Sequence, residues 1–302
     1  MDRGPREEVT SGVMISRLIC RSILLVAICA VTQLAPAQDD ALRKVRDQHG
    51  WGRFGSGTWK RIRVVSETLD ENGKVVATST TETKTTLTKV DDKTFTIKVE
   101  ATVDVAGRKI NSPAKMATRG YFGEAVGEKV EVRESGEQNV TIGDKRHACL
   151  VREVEITGAN RRRKVRVFLS RRAAPTVLRK IVTGAIPNED TKTYETVLDV
   201  IALDMPHRVA GKTLSTSHIR QIHTNNAGTT ITLAVHSNNV PGEVVAYWAK
   251  ELDAKERVIR RRTLEVMDFH VVPAPRKETR PTSLRERIRK RREERLKKKQ
   301  GE

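Results

Sequence analysis

Phe95-Thr96-Ile97-Lys98-Val99-Glu100-Ala101-Thr102-Val103-Asp104-Val105 decides the fold class. Phe95, Ile97, Val99, Ala101, Val103 and Val105 alternate with Thr96, Lys98, Glu100, Thr102 and Asp104. A period of two sends successive side chains to opposite faces, the mark of a half-buried strand. The pattern stops at Ala106-Gly107. Upstream, Asp91-Asp92 makes a turn into a run from Lys74 to Val90 that holds seven threonines between Thr78 and Thr88. Both faces of that run are polar, which predicts an exposed edge or a protruding ribbon, or a strand lining a wet groove. Asp70-Glu71-Asn72-Gly73 is a hairpin turn, and before it Ile62 and Val64 alternate with Arg61 and Arg63.

Downstream, residues 112–127 read as a loop containing Arg119-Gly120-Tyr121-Phe122-Gly123. Alternation resumes at Val130 and Val132, and further strands are expected at 147–156, 163–169, 193–203, 217–224 and 230–236. Pro241 followed by apolar Val244, Val245, Trp248 and Leu252 predicts a helix over Gly242–Leu252. A weak internal repeat pairs 147–203 with 215–270. Each copy carries a strand, a turn, a strand, a Ser, a Pro and a Thr-plus-Leu-acid-Val strand. Ser170, Pro175, Thr196 and Leu198-Asp199-Val200 match Ser237, Pro241, Thr263 and Leu264-Glu265-Val266. The expected class is mainly β: a large antiparallel curved sheet or open half-barrel with one or two short helices, plus a basic helical C-terminal tail.

The ends read differently from the body. Residues 1–37 have the form of a signal peptide: Arg17 and Arg21, an apolar run Ile23–Val31, then Ala35-Pro36-Ala37, with cleavage between Ala37 and Gln38. Met14 is an alternative start. Nine apolar residues are short of the roughly 17–25 needed to span a bilayer, so no transmembrane span is expected after cleavage. The mature chain would run from 38 with an exported, periplasmic or extracellular address. Residues 38–57 form a short helix, Ala41 to Gln48, and a Gly-rich lead-in, and residues 58–272 the β domain. Cys149 would be the one cysteine left, excluding an internal disulfide and favouring a buried thiol.

The 302 residues carry 57 Lys and Arg against 38 Asp and Glu, a formal charge of +19. Pro273, Pro275 and Pro281 set off the tail 273–302, in which 276–302 hold 13 basic and five acidic residues. Ser283-Leu284-Arg285-Glu286 matches a capping box, followed by a helix-forming run. Its thin apolar stripe leaves that helix marginal by itself, so the tail is also readable as a disordered, solvated extension. Arg289, Lys290, Arg291, Arg292, Lys297, Lys298 and Lys299 of the tail, with Arg161, Arg162, Arg163 and Lys164 of the body, are the candidate binding residues. They suit polyanions. An exported chain without aromatics in its tail points to anionic envelope polymer or lipid headgroups and disfavours nucleic acid.

No catalytic constellation is evident: no Gly-x-Ser-x-Gly elbow, no phosphate-cradling glycine loop and no His-Glu-x-x-His helix. His218 and His223 fall on opposite faces of one strand, while His223 and His236 could meet across the Asn225-Asn226-Ala227-Gly228 hairpin. No metal site and no cofactor is expected.

Phe54-Gly55-Ser56-Gly57-Thr58-Trp59 followed by long antiparallel strands, with Ser237-Asn238-Asn239-Val240-Pro241-Gly242, resembles uncharacterised secreted bacterial envelope proteins. The overall order is similar to lipoprotein-carrier half-barrels, and that resemblance implies a curved sheet cradling acyl chains over a helix. Such a carrier should have an apolar concave face with aromatic residues. An aromatic content of 4% and the threonine strand depart from it. The leading expectation is a non-catalytic exported β-domain that binds an envelope component, its basic tail favouring anionic surfaces. The alternative is a periplasmic carrier of acyl chains or lipoproteins. A third is a hydrolase whose histidines and carboxylates are gathered by the fold.

Overall fold

In the computed structural model, which describes residues 45–185 and 192–274, the described residues form one antiparallel sheet of thirteen strands with almost no helix among them. The strands are β1 (Trp59–Leu69), β2 (Val75–Val90), β3 (Thr94–Val105), β4 (Arg108–Gly120), β5 (Lys129–Ile142), β6 (Lys145–Thr157) and β7 (Arg162–Leu169). They continue as β8 (Val177–Ala185), β9 (Lys192–Val209), β10 (Lys212–Asn225), β11 (Gly228–His236), β12 (Val244–Asp253) and β13 (Val258–His270). The leader with Ala37 and Gln38, the tail with its seven basic candidates, and the first part of the predicted helix (41–44) lie outside the described residues. Residues 45–48 are helical.

The sheet order is β4-β3-β2-β1-β13-β12-β11-β10-β9-β8-β7-β6-β5. Each strand pairs with its neighbours in sequence, and β1 pairs with β13 from Trp59↔His270 to Thr68↔Arg260. Only β4 and β5 are left as edges, although residues 121–128 connect them directly. The sheet is therefore curved but unclosed. Register shifts recur in most strand pairs, and such bulges sharpen local twist and bend a long strand.

Three local expectations change. Residues 244–253 form strand β12, not a helix. Gly242 and Glu243 both take positive φ, 68° and 65°, and the Ser237 N–H donates to the Glu243 carbonyl at 2.8 Å. That tight reversal delivers the chain to a slot between β11 and β13, where the β-branched and aromatic residues of Val244-Val245-Ala246-Tyr247-Trp248 suit a pleated surface. Residues 112–120, expected as loop, are the second half of β4; Pro113 and the polar composition suit an edge strand. The threonine strand β2 is not an edge, because it is hydrogen-bonded to both β1 and β3. Its threonines are mostly half-buried, and their β-branched side chains give strand propensity without an apolar surface.

The lead-in 45–57 is fastened to the sheet by backbone and side chains. Thr58, wholly buried, accepts from the Val272 N–H at 2.9 Å and donates to the Val272 carbonyl at 3.3 Å. The Gly55 N–H donates to the Val272 carbonyl and the Gly57 N–H to the Leu87 carbonyl, both at 2.8 Å. Trp51, Phe54, Leu87, Phe95 and Tyr121 pack as one cluster, with Phe95 and Tyr121 ring centroids 5.9 Å apart. Gly52 is required by this closeness: a Cβ there would stand 2.5 Å from the Arg46 carbonyl oxygen and 2.7 Å from the Tyr121 ring. Gly73, by contrast, needs only its φ of 77° and has open space around it.

Gly52→Ala is therefore expected to cost about 1–3 kcal/mol by overpacking. Gly73→Ala, strained in the left-handed region alone, should cost roughly 1 kcal/mol. Urea denaturation of the two variants checks the order, and equal losses would contradict the packing account.

Candidate functional site

A cavity of about 380 Å³ opens on the sheet face covered by the lead-in. Its apolar wall comes from five successive strands: Val154 of β6, Val165, Val167 and Leu169 of β7, Val177 of β8, Leu198 of β9 and Ile219 of β10. The cover is not sheet. Val45, Gln48, His49, Gly50 and Trp51 of the lead-in and Tyr121, Phe122 and Gly123 of the β4–β5 connection close over it. The connection is held there by the Tyr121 hydroxyl, shared between the carbonyls of Asp91 and Thr94. Burial pushes the Tyr121 phenol up to about 12, so it stays protonated. Three of the chain's eleven aromatic residues, Trp51, Tyr121 and Phe122, line this cavity.

Polar groups gather along the rim. His49 accepts at Nδ1 from the backbone N–H of Trp51 (3.2 Å) and of Gly52 (3.3 Å), which assigns its proton to Nε2. Its ring packs on Phe95 and Tyr121, with centroids 4.7 and 5.4 Å away. Burial, reinforced by the Arg53 and Lys180 cations, pulls its pKa down to about 4. His236 at the end of β11 is also pulled to about 4, by burial and by Lys60. Both imidazoles are neutral at pH 7.

Glu243 and Arg53 form an ion pair beside them. Arg53 also donates to the carbonyls of Gln48 (2.8 Å), His49 (3.2 Å) and Asn238 (3.4 Å), so one guanidinium ties the lead-in to the β11–β12 turn. Burial raises the Glu243 pKa, against the pull of Arg53 and Lys60. Lys60, buried under Trp51 with Nζ 5.8 Å from the ring, donates to the Val244 carbonyl at 3.3 Å. Burial lowers its pKa to about 8, with Glu243 opposing. Lys180 and Arg152 project from the wall itself.

The lining holds two imidazoles and a carboxylate but no Ser, Thr or Cys. With Glu243 engaged by Arg53 and His49 Nδ1 engaged by backbone, these groups are disposed to hold a cover and to hydrogen-bond a guest. Among the described residues no group of three or more His, Cys, Asp or Glu could hold a metal ion.

No family model and no curated protein matches the chain. Solved structures with some likeness include a candidate lipoprotein from Parabacteroides distasonis (7% identity, TM-score 0.33, covering 74% of this chain and 98% of that one). A DUF1329 family protein from Desulfovibrio piger (12%, TM-score 0.34, 80% and 94%) is another. A third is a candidate exported protein with a YmcC-like fold from Bacteroides fragilis (5%, TM-score 0.28, 72% and 99%). Likeness at this level fixes neither ligand nor activity.

The body's basic candidates are largely paired. Arg161 and Arg163 both engage Glu128, at 2.6 and 3.0 Å, and Arg163 also donates to the Gly123 carbonyl at 3.3 Å. Arg162 pairs with Glu155 at 2.5 Å, and Lys164 stands opposite Glu155 in the ladder. Arg161 and Arg163 therefore clamp the β4–β5 connection. His223 lies opposite Thr230 while His236 lies opposite Ser217, so the two are far apart along the β10–β11 hairpin and do not meet. Cys149 is buried, its thiol donating to the His147 carbonyl at 3.4 Å. Sequence reasoning missed His49, Lys180 and Glu243. Lys180 carried a usable signal, since it interrupts the apolar run Val177-Leu178-Arg179-Lys180-Ile181-Val182 on the same face as Val182.

A histidine held neutral takes its proton more readily once unfolded, near pH 6.5, than when folded, near 4. Stability should therefore fall as pH drops through that window, by up to about 3 kcal/mol per imidazole. Urea titrations from about pH 7 to 5, above most carboxylate titration, read this slope. The His49→Gln/His236→Gln double variant should flatten it; an unchanged slope would show that these rings do not carry it.

Proposed function

We propose that this chain is a non-catalytic, exported β-domain that binds an acyl-bearing envelope component in the cavity under its lead-in. The observation that carries the reading is the cavity itself: an apolar wall from five adjacent strands, a cover of non-sheet residues, and aromatic side chains at the mouth. Its volume falls within the roughly 300–1,000 Å³ of small-molecule sites, enough for one chain and not for a bulky assembly. Seven aliphatic side chains aimed at one space stabilise a guest by removing its methylenes from water, at about 0.8 kcal/mol for each one buried. The leader-like N-terminus supports export. The basic tail would bring the domain to anionic membrane or polymer surfaces, where such guests are found.

A neutral probe and an anionic one test the reading together. Native mass spectrometry of residues 38–302 recovered from source-cell envelopes should show an adduct of lipid mass. In vitro, both a monoacylglycerol and a long-chain fatty acid should displace a fluorescent acyl probe. Val167→Trp, which fills the middle of the wall, should reduce displacement at least about tenfold with an unchanged circular dichroism spectrum, because the guest and the indole would occupy the same space. A clean apo mass together with no probe binding would reject the reading.

A further inference from the structure

The cavity's polar lining is unbalanced. Lys180, Arg152 and the Nε2–H of His49 all present donors or positive charge. The one acid in the lining, Glu243, is already taken by Arg53. Lys180 stands directly between Val167 of β7 and Leu198 of β9 in the ladder, so both cross-strand neighbours on its face are aliphatic. Arg152 sits on the far side of Val167, one strand further along the same row. Arg152 has Glu134 at 3.3 Å. Lys180 has no hydrogen-bond or ion-pair partner among the described residues; burial lowers its pKa, and the charge that acts on it, the like charge of Arg163, lowers it further. An ammonium placed in an apolar wall without a counter-charge destabilises the empty protein unless a ligand supplies the anion.

We propose that Lys180 anchors the anionic head, a carboxylate or phosphate, of a single-chain acyl guest whose tail packs against the aliphatic wall to one side of it. The assignment rests on the acyl-binding reading and narrows it to anionic amphiphiles. A charge-assisted hydrogen bond in this setting contributes roughly 1.5–3 kcal/mol, which corresponds to about 10–100-fold in affinity. Lysine, with three donors on a flexible stem, accepts either head chemistry.

The test compares palmitate, lysophosphatidate and hexadecanol as competitors of a fluorescent acyl probe on the full mature chain, using wild type, Lys180→Met and Lys180→Arg. Wild type should prefer the anionic guests over hexadecanol by about tenfold or more. Lys180→Met should lose that preference while hexadecanol binding stays within about twofold, and Lys180→Arg should regain most of it. Without ligand, Lys180→Met should melt at a higher temperature than wild type, since it removes an uncompensated charge and keeps the volume. Whichever of palmitate and lysophosphatidate depends more on Lys180 names the head. Equal binding of anionic and neutral guests, unchanged in Lys180→Met, would overturn the anchor and leave the acyl reading standing. Failure of all three competitors would overturn both.

Discussion

Because β1 pairs with β13, the sheet's curvature, the place of its opening and the fastening of the lead-in all follow from one strand junction. A thirteen-strand meander has no reason to hold its curvature unless its ends are joined, and here the first strand hydrogen-bonds to the last across ten residue pairs. The join moves the opening from the chain ends to the middle, between β4 and β5. It also brings the lead-in before β1 beside residues 271–273 after β13, where Thr58 and Val272 exchange hydrogen bonds. A curved sheet of one layer has an apolar face that must be covered. The lead-in covers it from one side, and the short connection across the open seam covers it from another. The cavity is what these two pieces leave unfilled.

That arrangement explains which parts of the fold were legible in the sequence. Alternation in Phe95–Val105 identified β3, although only Phe95 and Ile97 of its apolar face join a buried cluster and both faces are otherwise half-buried up to Asp104. The threonine strand was equally legible as a strand, but its neighbours were not. Pairing on both sides is set by the order of the meander, which no periodicity records. Residues 244–252 misled because valines and tryptophan at helical spacing are equally compatible with a strand buried unevenly on both sides. The left-handed turn at Gly242 and Glu243 settles the choice, and a glutamate gives no warning of a positive φ. Ser170 and Ser237, singled out as matching positions, both donate their backbone N–H across a tight loop, to Thr176 and Glu243, at 2.8 Å.

The site was much less legible than the fold, for a physical reason. Its charges come from five separate places: the lead-in, the start of β1, the β11–β12 turn and the wall strands β6 and β8. Arg53 and Glu243 are 190 residues apart in the chain and meet only because β1 closes on β13. The conspicuous basic run Arg161-Arg162-Arg163 turned out to have nearby acids, Glu128 and Glu155, that neutralise much of it. A run of like charge is visible in a sequence, whereas the carboxylate that answers it from another strand is not. The inconspicuous single lysine on β8 was the opposite case, a charge to which no acid among the described residues is paired.

Charge compensation therefore separates structural groups from those left for a guest. Around the cavity the fold supplies partners wherever it needs rigidity. Arg53 has a carboxylate and three carbonyls, Lys60 a carbonyl and an indole face, and Glu128 two guanidiniums and the Ala125 N–H. Each of these fastens a covering piece to the sheet, and each would be costly to leave unpaired. His49 belongs to the same group, because its Nδ1 caps two backbone N–H groups of the lead-in. Among the described residues Lys180 is given no such partner. Lys180 stands in the apolar wall between Val167 and Leu198. Hydrophobic burial then fixes the guest's position along the wall, and the cation fixes which end faces Lys180. An apolar groove without such a charge would bind chains in either direction, so the lysine supplies the orientation that aliphatic packing cannot.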